Sequence, residues 1–126
     1  MRRLVRTGGF EEIGGYARAV RIGDVFAVSG TAALGENGAA LYPGDVYAQT
    51  RDAFERSIAA LRELGGGLRD VVRTRIYLAP GADWRRAIDA HRELFGEVTP
   101  TNTTLYVAGF IPSGVLVEIE LDAVAN

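Results

Sequence analysis

The sequence has no cysteine, which excludes disulfides, thiolate nucleophiles and cysteine-ligated metals. It has no lysine either, because all 14 basic residues are arginines. Schiff-base chemistry, pyridoxal attachment and a P-loop lysine all need that primary amine and are excluded with it. A single histidine, His91, rules out a multi-histidine metal site. Carboxylates and carbonyls alone would suit Mg²⁺ or Ca²⁺, yet no EF-hand-like spacing occurs, so no metal and no organic cofactor is expected. No apolar run approaches the roughly 18 residues that span a bilayer, and the N-terminus lacks the apolar stretch of a signal peptide. These absences predict a cytoplasmic protein with no membrane partner.

What remains is an ordinary globular composition, 48% apolar and 24% charged over 126 residues, enough for one domain and too little for two cores. The net charge of −2 argues against phosphate neutralisation, so nucleic acid is not an expected partner. The one basic cluster, Arg2, Arg3 and Arg6, reads as a solvated terminus.

Two segments carry helical periodicity. From about Asp45 to Leu64, Phe54, Ile58 and Leu61 share one face while Arg51, Asp52, Glu55 and Arg56 turn outward, with Gly65-Gly66-Gly67 as the stop. From about Asp83 to Phe95, Trp84, Ile88, His91 and Phe95 keep the same register, and His91 reads as a surface or half-buried helix residue. Five short strands are predicted. Tyr16–Ile22 and Val25–Ser29 flank the turn Gly23-Asp24. Val71–Ala79 alternates, with Val72, Thr74, Ile76 and Leu78 facing the core and Arg73, Arg75 and Tyr77 facing away. Asn102–Ala108 puts Asn102, Thr104 and Tyr106 on one face, and Val115–Val124 puts Val117, Ile119 and Leu121 inward. The predicted order β-β-α-β-α-β-β is an α+β fold with both helices on one face of one sheet. The loop from about Thr31 to Gly44 is the longest irregular stretch and a candidate site border.

The other sheet face alternates Arg73 and Arg75 with Glu118, Glu120 and Asp122 and is expected to add Tyr16, Tyr77 and Tyr106. Aromatics with pairable charges suit a subunit interface better than bulk water, so an oligomer burying this face is expected.

These residues also carry a resemblance. Gly14-Gly15-Tyr16-Ala17-Arg18-Ala19-Val20 resembles the G-x-Y-S-x-A-V opening of the Rid (YjgF) family of imine and enamine deaminases. Phe26-Ala27-Val28-Ser29-Gly30 is similar to its F-V-S-G strand. Gln49-Thr50-Arg51, Asp70-Val71-Val72-Arg73-Thr74 and Val117-Glu118-Ile119-Glu120 follow in order, so the likeness covers roughly residues 13–124. The resemblance implies a chorismate mutase-like α+β fold and a homotrimer whose sheets form a central barrel, with intersubunit clefts for a small-molecule ligand. It implies that Ser29, Gly30 and Glu118 position water for attack on an imine carbon, with Tyr16 lining the cleft. Such chemistry needs only orientation, a placed water and a proton relay, because the imine carbon is already electrophilic.

The family's P-x-R motif reads Thr99-Pro100-Thr101-Asn102 here, so Asn102 stands where an arginine clamps the substrate carboxylate. A neutral amide lacks that charge and planar fork, which should cost about ten- to a hundredfold in binding. The departure argues against ordinary 2-iminoacid deamination. Asn102, followed on the same face by Thr104 and Tyr106, suits a neutral group instead, and Arg18 or Arg75 is the candidate for a relocated cation. Three functions follow in order: an enzyme acting on an imine, enamine or carbonyl compound, a non-catalytic small-molecule binder, and, least favoured by the acidic pI, an endoribonuclease or translation inhibitor.

Overall fold

In the computed structural model, which describes residues 1–126, the elements in chain order are β1 (Arg2–Val5), α1 (Phe10–Gly14), β2 (Ala19–Ile22), β3 (Val25–Thr31), α2 (Val46–Glu63), β4 (Val71–Leu78), α3 (Trp84–Phe95), β5 (Thr101–Tyr106) and β6 (Val117–Val124). The two long helices begin at acidic caps. Asp45 accepts the Ala48 N–H at 2.9 Å, and Asp83 accepts those of Arg85 and Arg86, giving partners to amides that have none within the helix. Helix α2 stops at the glycine run for two reasons. Gly65 takes a φ of +86°, and a Cβ on Gly66 would stand 2.8 Å from the Phe26 ring.

The strands form one sheet in the order β1-β2-β3-β6-β4-β5, antiparallel except for the parallel pair β4 and β5, which α3 connects. Phe54 and Leu61 from α2 and Phe95 from α3 bury themselves against Phe26, Ile76, Leu78, Ile119 and Leu121 of the sheet. Burying each such side chain is worth about 1.5–3 kcal/mol, so the apolar face of the sheet is the main source of stability. This is the chorismate mutase-like α+β architecture expected from the sequence.

Several local expectations need correction. Arg2, Arg3 and Arg6 are exposed, as a solvated terminus predicts, but Arg2–Val5 also pairs with β2 as an edge strand that was not expected. Its arginines stay exposed, so charge alone gave no strand signal. A third, short helix, α1, follows β1, and the strand expected from Tyr16 starts only at Ala19. Val72 is 46% exposed and Val71 is buried in its place, because β4 bulges between Val71 and Arg73 against consecutive residues of β6. Tyr106 pairs with the buried Leu78 and lies on the helix side of the sheet, its hydroxyl donating to the Ala82 carbonyl. Of the three tyrosines expected on the open face, Tyr77 is there, while Tyr16 precedes β2. On that face Arg75 pairs with Asp122 at 3.2 Å, and the Tyr77 hydroxyl donates to Glu120.

The largest polar side chain to be fully buried is on α2. Gln49 donates its amide to the carbonyls of Leu41, Tyr42 and Gly114 and accepts the Leu116 N–H at 2.9 Å. It therefore ties the loop before α2 to the loop before β6. Gln49→Leu keeps the volume but leaves the Leu116 N–H and the carbonyls without that partner, at a cost of about 1–3 kcal/mol for a buried group so stranded. Urea unfolding should show the midpoint falling accordingly, and an unchanged midpoint would mean the two loops hold without the amide.

Candidate functional site

The site starts from a break in the β3–β6 ladder. Val28 pairs with Leu121 and Thr31 with Ile119, so Ser29 and Gly30 together stand opposite Glu120. Two residues against one is a β-bulge, which bends the strand and re-aims what it carries. Gly30 is thereby laid against Glu118, so closely that a Cβ there would stand 2.8 Å from Glu118 Oε1. The Ser29 hydroxyl is used elsewhere: it donates to the Ala17 carbonyl at 2.6 Å, while the Ser29 N–H donates to the Arg18 carbonyl. Ser29 holds the 16–18 segment to β3 and presents no free nucleophile.

Arg18 sits on the other side of Gly30. Its Nη1 donates to the Gly30 carbonyl at 2.9 Å, and its Nε lies 3.3 Å from Glu11 Oε2, a charge contact without hydrogen-bond alignment. The guanidinium also lies 5.7 Å from the centre of the Tyr16 ring. Glu11, buried on α1, accepts the Thr7 N–H and hydroxyl. Burial would raise the Glu11 carboxyl, but the two Thr7 bonds and the Arg18 charge outweigh it and hold it below the usual carboxylate range.

Glu118 is the opposite case. Half-buried and reached by no hydrogen bond from the chain, its carboxyl is pushed up by desolvation, against a downward pull from Arg18 and with a further push from Glu120. Glu118, Gly30, Arg18, Tyr16 and Glu11 line one cavity of about 1040 Å³ whose other walls mix apolar side chains, among them Phe10, Leu34, Phe110 and Ile111, with polar and charged ones such as Ser57, Arg56 and Glu63. A half-buried carboxylate raised towards neutrality, with no partner of its own, is equipped to take and return a proton.

The remaining sequence candidates divide between two other places. Ser29 and Arg75 line a smaller hollow of about 600 Å³ on the open sheet face, beside Glu120 and Asp122. Arg75 is thus outside the Glu118 cavity, and of the two candidate cations only Arg18 is in it. Asn102, Thr104 and Tyr106 share one face of β5, as the alternation predicts, at the α3 side of the edge strand. Within the chain they do not meet Gly30 or Glu118. There Asn102 Nδ2 donates to Thr74 Oγ1 at 3.0 Å, and Asn102 Oδ1 accepts the Thr104 hydroxyl at 2.8 Å. Thr74 Oγ1 in turn lies 2.7 Å from His91 Nε2. His91 stacks edge-on to Phe54, and burial lowers its affinity for a proton. A neutral imidazole can accept the Thr74 hydroxyl, which orients every bond in the row.

Sequence inspection missed Glu11 and Thr7, whose signal is only an acidic residue in a five-residue helix between glycine pairs. It noted Gln49 in a motif without a role, and it did not connect His91 to Asn102, since a row through Thr74 needs three elements in register. No group of three or more His, Asp or Glu side chains gathers anywhere in a geometry that could hold a metal.

Comparison with known proteins shows the family of the chain. Residues 9–125 match the family model described as endoribonuclease L-PSP. An uncharacterised protein of Streptomyces coelicolor is 44% identical over 124 residues, covering 98% of this chain and 91% of that one. The 3-aminoacrylate deaminase RutC of Acinetobacter baylyi is 33% identical over 104 residues, 82% of each chain. The crystal structure of Rv2704 from Mycobacterium tuberculosis, described as a member of the YjgF/YER057c/UK114 family, superposes with a TM-score of 0.88 at 42% identity, covering 99% of this chain and 100% of that one. With a bulged Ser-Gly strand set against the first glutamate of Val117-Glu118-Ile119-Glu120, and relatives matched along nearly its whole length, the chain belongs to the Rid (YjgF) family.

Proposed function

We propose that the chain is an enzyme that hydrolyses the C=N bond of a small imine or enamine in the Glu118 cavity, within a homotrimer whose neighbouring copies complete the cleft. The observation that carries this is Glu118 itself, a half-buried carboxylate with no partner in the chain, set against the backbone of Gly30. The similarity to RutC supports the same chemistry.

A water between Glu118 and the second lone pair of the Gly30 carbonyl gives its proton to Glu118 as its oxygen adds to the imine carbon. Glu118 passes that proton to the nitrogen, leaving a carbinolamine. The carbinolamine hydroxyl proton then returns through Glu118 to the nitrogen, the C–N bond breaks, and a carbonyl compound and ammonia leave. Glu118→Ala removes the only proton carrier in this path. Ammonia release from imines generated in situ by an amine or amino-acid oxidase should fall by about 10²–10⁴-fold. Wild-type protein should turn over 2-aminoacrylate-type imines poorly, and Asn102→Arg should raise that rate. Wild-type rates equal to those of arginine-bearing family members would overturn the assignment of Asn102.

The same carboxylate should limit stability. Because burial raises its folded-state pKa, Glu118 favours the fold fully only below its unfolded pKa, and that contribution is lost as pH rises through the folded value. At neutral pH the ionised Glu118 is a net cost that glutamine avoids. Thermal unfolding of Glu118→Gln should give a higher Tm than wild type at pH 7, with the gap closing through the acid range. A gap that widens on acidification would show the carboxylate is stabilised by its surroundings.

The open sheet face favours assembly, since at its centre Arg75 is paired with Asp122 and Glu120 accepts the Tyr77 hydroxyl, which makes burial of those charges tolerable. Sedimentation equilibrium should return three times the 13.5 kDa chain mass. A stable monomer at micromolar concentration would return this face to solvent.

A further inference from the structure

The charges of the Glu118 cavity are unequally committed. Two guanidiniums border it, and each already has an acidic partner. Arg56 Nε lies 2.7 Å from Asp52, and Arg18 is held between Glu11 and the Gly30 carbonyl. Moving Arg18 onto a ligand would take from buried Glu11 its one cation within ion-pair distance, leaving it the two Thr7 bonds and the more distant charge of Arg6. The carboxylates of Glu36, Glu63 and Glu118 also border the cavity and have no ion-pair partner in the chain. Among the residues that line the cavity, an entering carboxylate would therefore meet three carboxylates without an ion-pair partner, two of them exposed at the mouth (Glu36 and Glu63), and no guanidinium without one; the unpaired Arg6, whose charge reaches Glu11, lies outside the lining. The Asn102 cluster adds no cation either, because Asn102, Thr104 and Tyr106 are all neutral.

Apart from Thr7, Thr31, Ser57 and several glycines, the uncharged lining is apolar. Phe10 and the almost fully exposed Ile111 stand at the rim, and Leu34 and Phe110 form walls. A ligand that matches this surface carries a positive charge at one end and a hydrocarbon body at the other.

We infer that this cavity selects a small organic cation without a carboxylate, an iminium or ammonium whose N–H donates to Glu118 while its apolar body lies against Phe10, Phe110 and Ile111. This rests on the hydrolase assignment above for the location of the site, and it names the substrate class that assignment leaves open. For a protonated imine the reaction balances without another reactant: the iminium and one water give a carbonyl compound and ammonium, so the positive charge leaves on the nitrogen that brought it.

Cyclohexylammonium and cyclohexanecarboxylate test this directly, because they share one hydrocarbon body and differ in the sign of the charge. Their affinities are measured by calorimetry at pH 7 on the full chain in its native assembly, with Glu118→Gln alongside and its folding checked by thermal unfolding. Wild type should bind the ammonium at least about tenfold tighter than the carboxylate. Glu118→Gln should weaken the ammonium by about ten- to a hundredfold, the usual loss for a hydrogen bond to a charged group, and should not weaken the carboxylate. Equal or tighter binding of the carboxylate, ammonium binding indifferent to Glu118→Gln, or no binding of either compound would each overturn the inference. The two proposals fail separately. Ammonium binding that depends on Glu118, in a protein that hydrolyses no imine, would leave the cation site standing and remove the enzyme. Glu118-dependent turnover in a protein that prefers the carboxylate would do the reverse.

Discussion

The buried amide of Gln49 is the constraint from which the functional end of the molecule is built. Its four hydrogen bonds reach the backbone of two loops far apart in sequence, and an apolar residue of the same size could make none of them. Two anchor Leu41 and Tyr42, where the long loop turns into the helix. The other two anchor Gly114 and Leu116, immediately before β6 begins. Since Glu118 is the second residue of β6, the amide that sets the start of the strand also sets the depth of that carboxylate. Dry hydrogen bonds are costly to break, so the two loops bordering the cavity are fastened to a helix rather than left to solvent.

A second dependence runs through the bulge at Ser29 and Gly30. An unbroken ladder would alternate sides regularly along β3. The extra residue turns the Gly30 backbone to Glu118 while the Ser29 hydroxyl ties back to Ala17. That tie brings Arg18 alongside, and Arg18 brings Glu11 and the short helix that carries it. The outcome is an electrostatic division of labour between two glutamates that line one cavity. Glu11 is saturated by donors and held ionised, whereas Glu118 is desolvated without donors and pushed towards its neutral form.

Asn102 shows how far a motif position can be read. Its identity announces that the family's cation is missing, and no structure is needed for that. Its commitments are a different matter. The amide is held in a row from Thr104 through Thr74 to His91, where an arginine would instead extend a long charged arm. The row links β5 to β4 and α3, so the substitution also changes how the edge strand is secured.

Much of the fold was legible in the sequence because it follows from local rules. The spacing of Phe54, Ile58 and Leu61, the helix starts near Asp45 and Asp83, the glycine stop and the alternation of β6 each act over a few residues. So did the composition that excludes thiol, amine and multi-histidine chemistry, and the five motifs that marked the family. The edge strand β1 was hidden because an exposed, arginine-rich strand has no apolar periodicity to reveal it. Val72 was assigned to the wrong face because a bulge depends on the partner strand's register, which one strand's pattern does not contain. The Glu118–Gly30–Arg18–Glu11 constellation joins four segments from residue 11 to residue 118, and the free or committed state of each charge is a matter of distances. The sequence by itself determined which functional groups exist and which chemistry they exclude. Only the tertiary structure decided which charges are paired and which are free, because pairing is set by contacts between residues far apart along the chain.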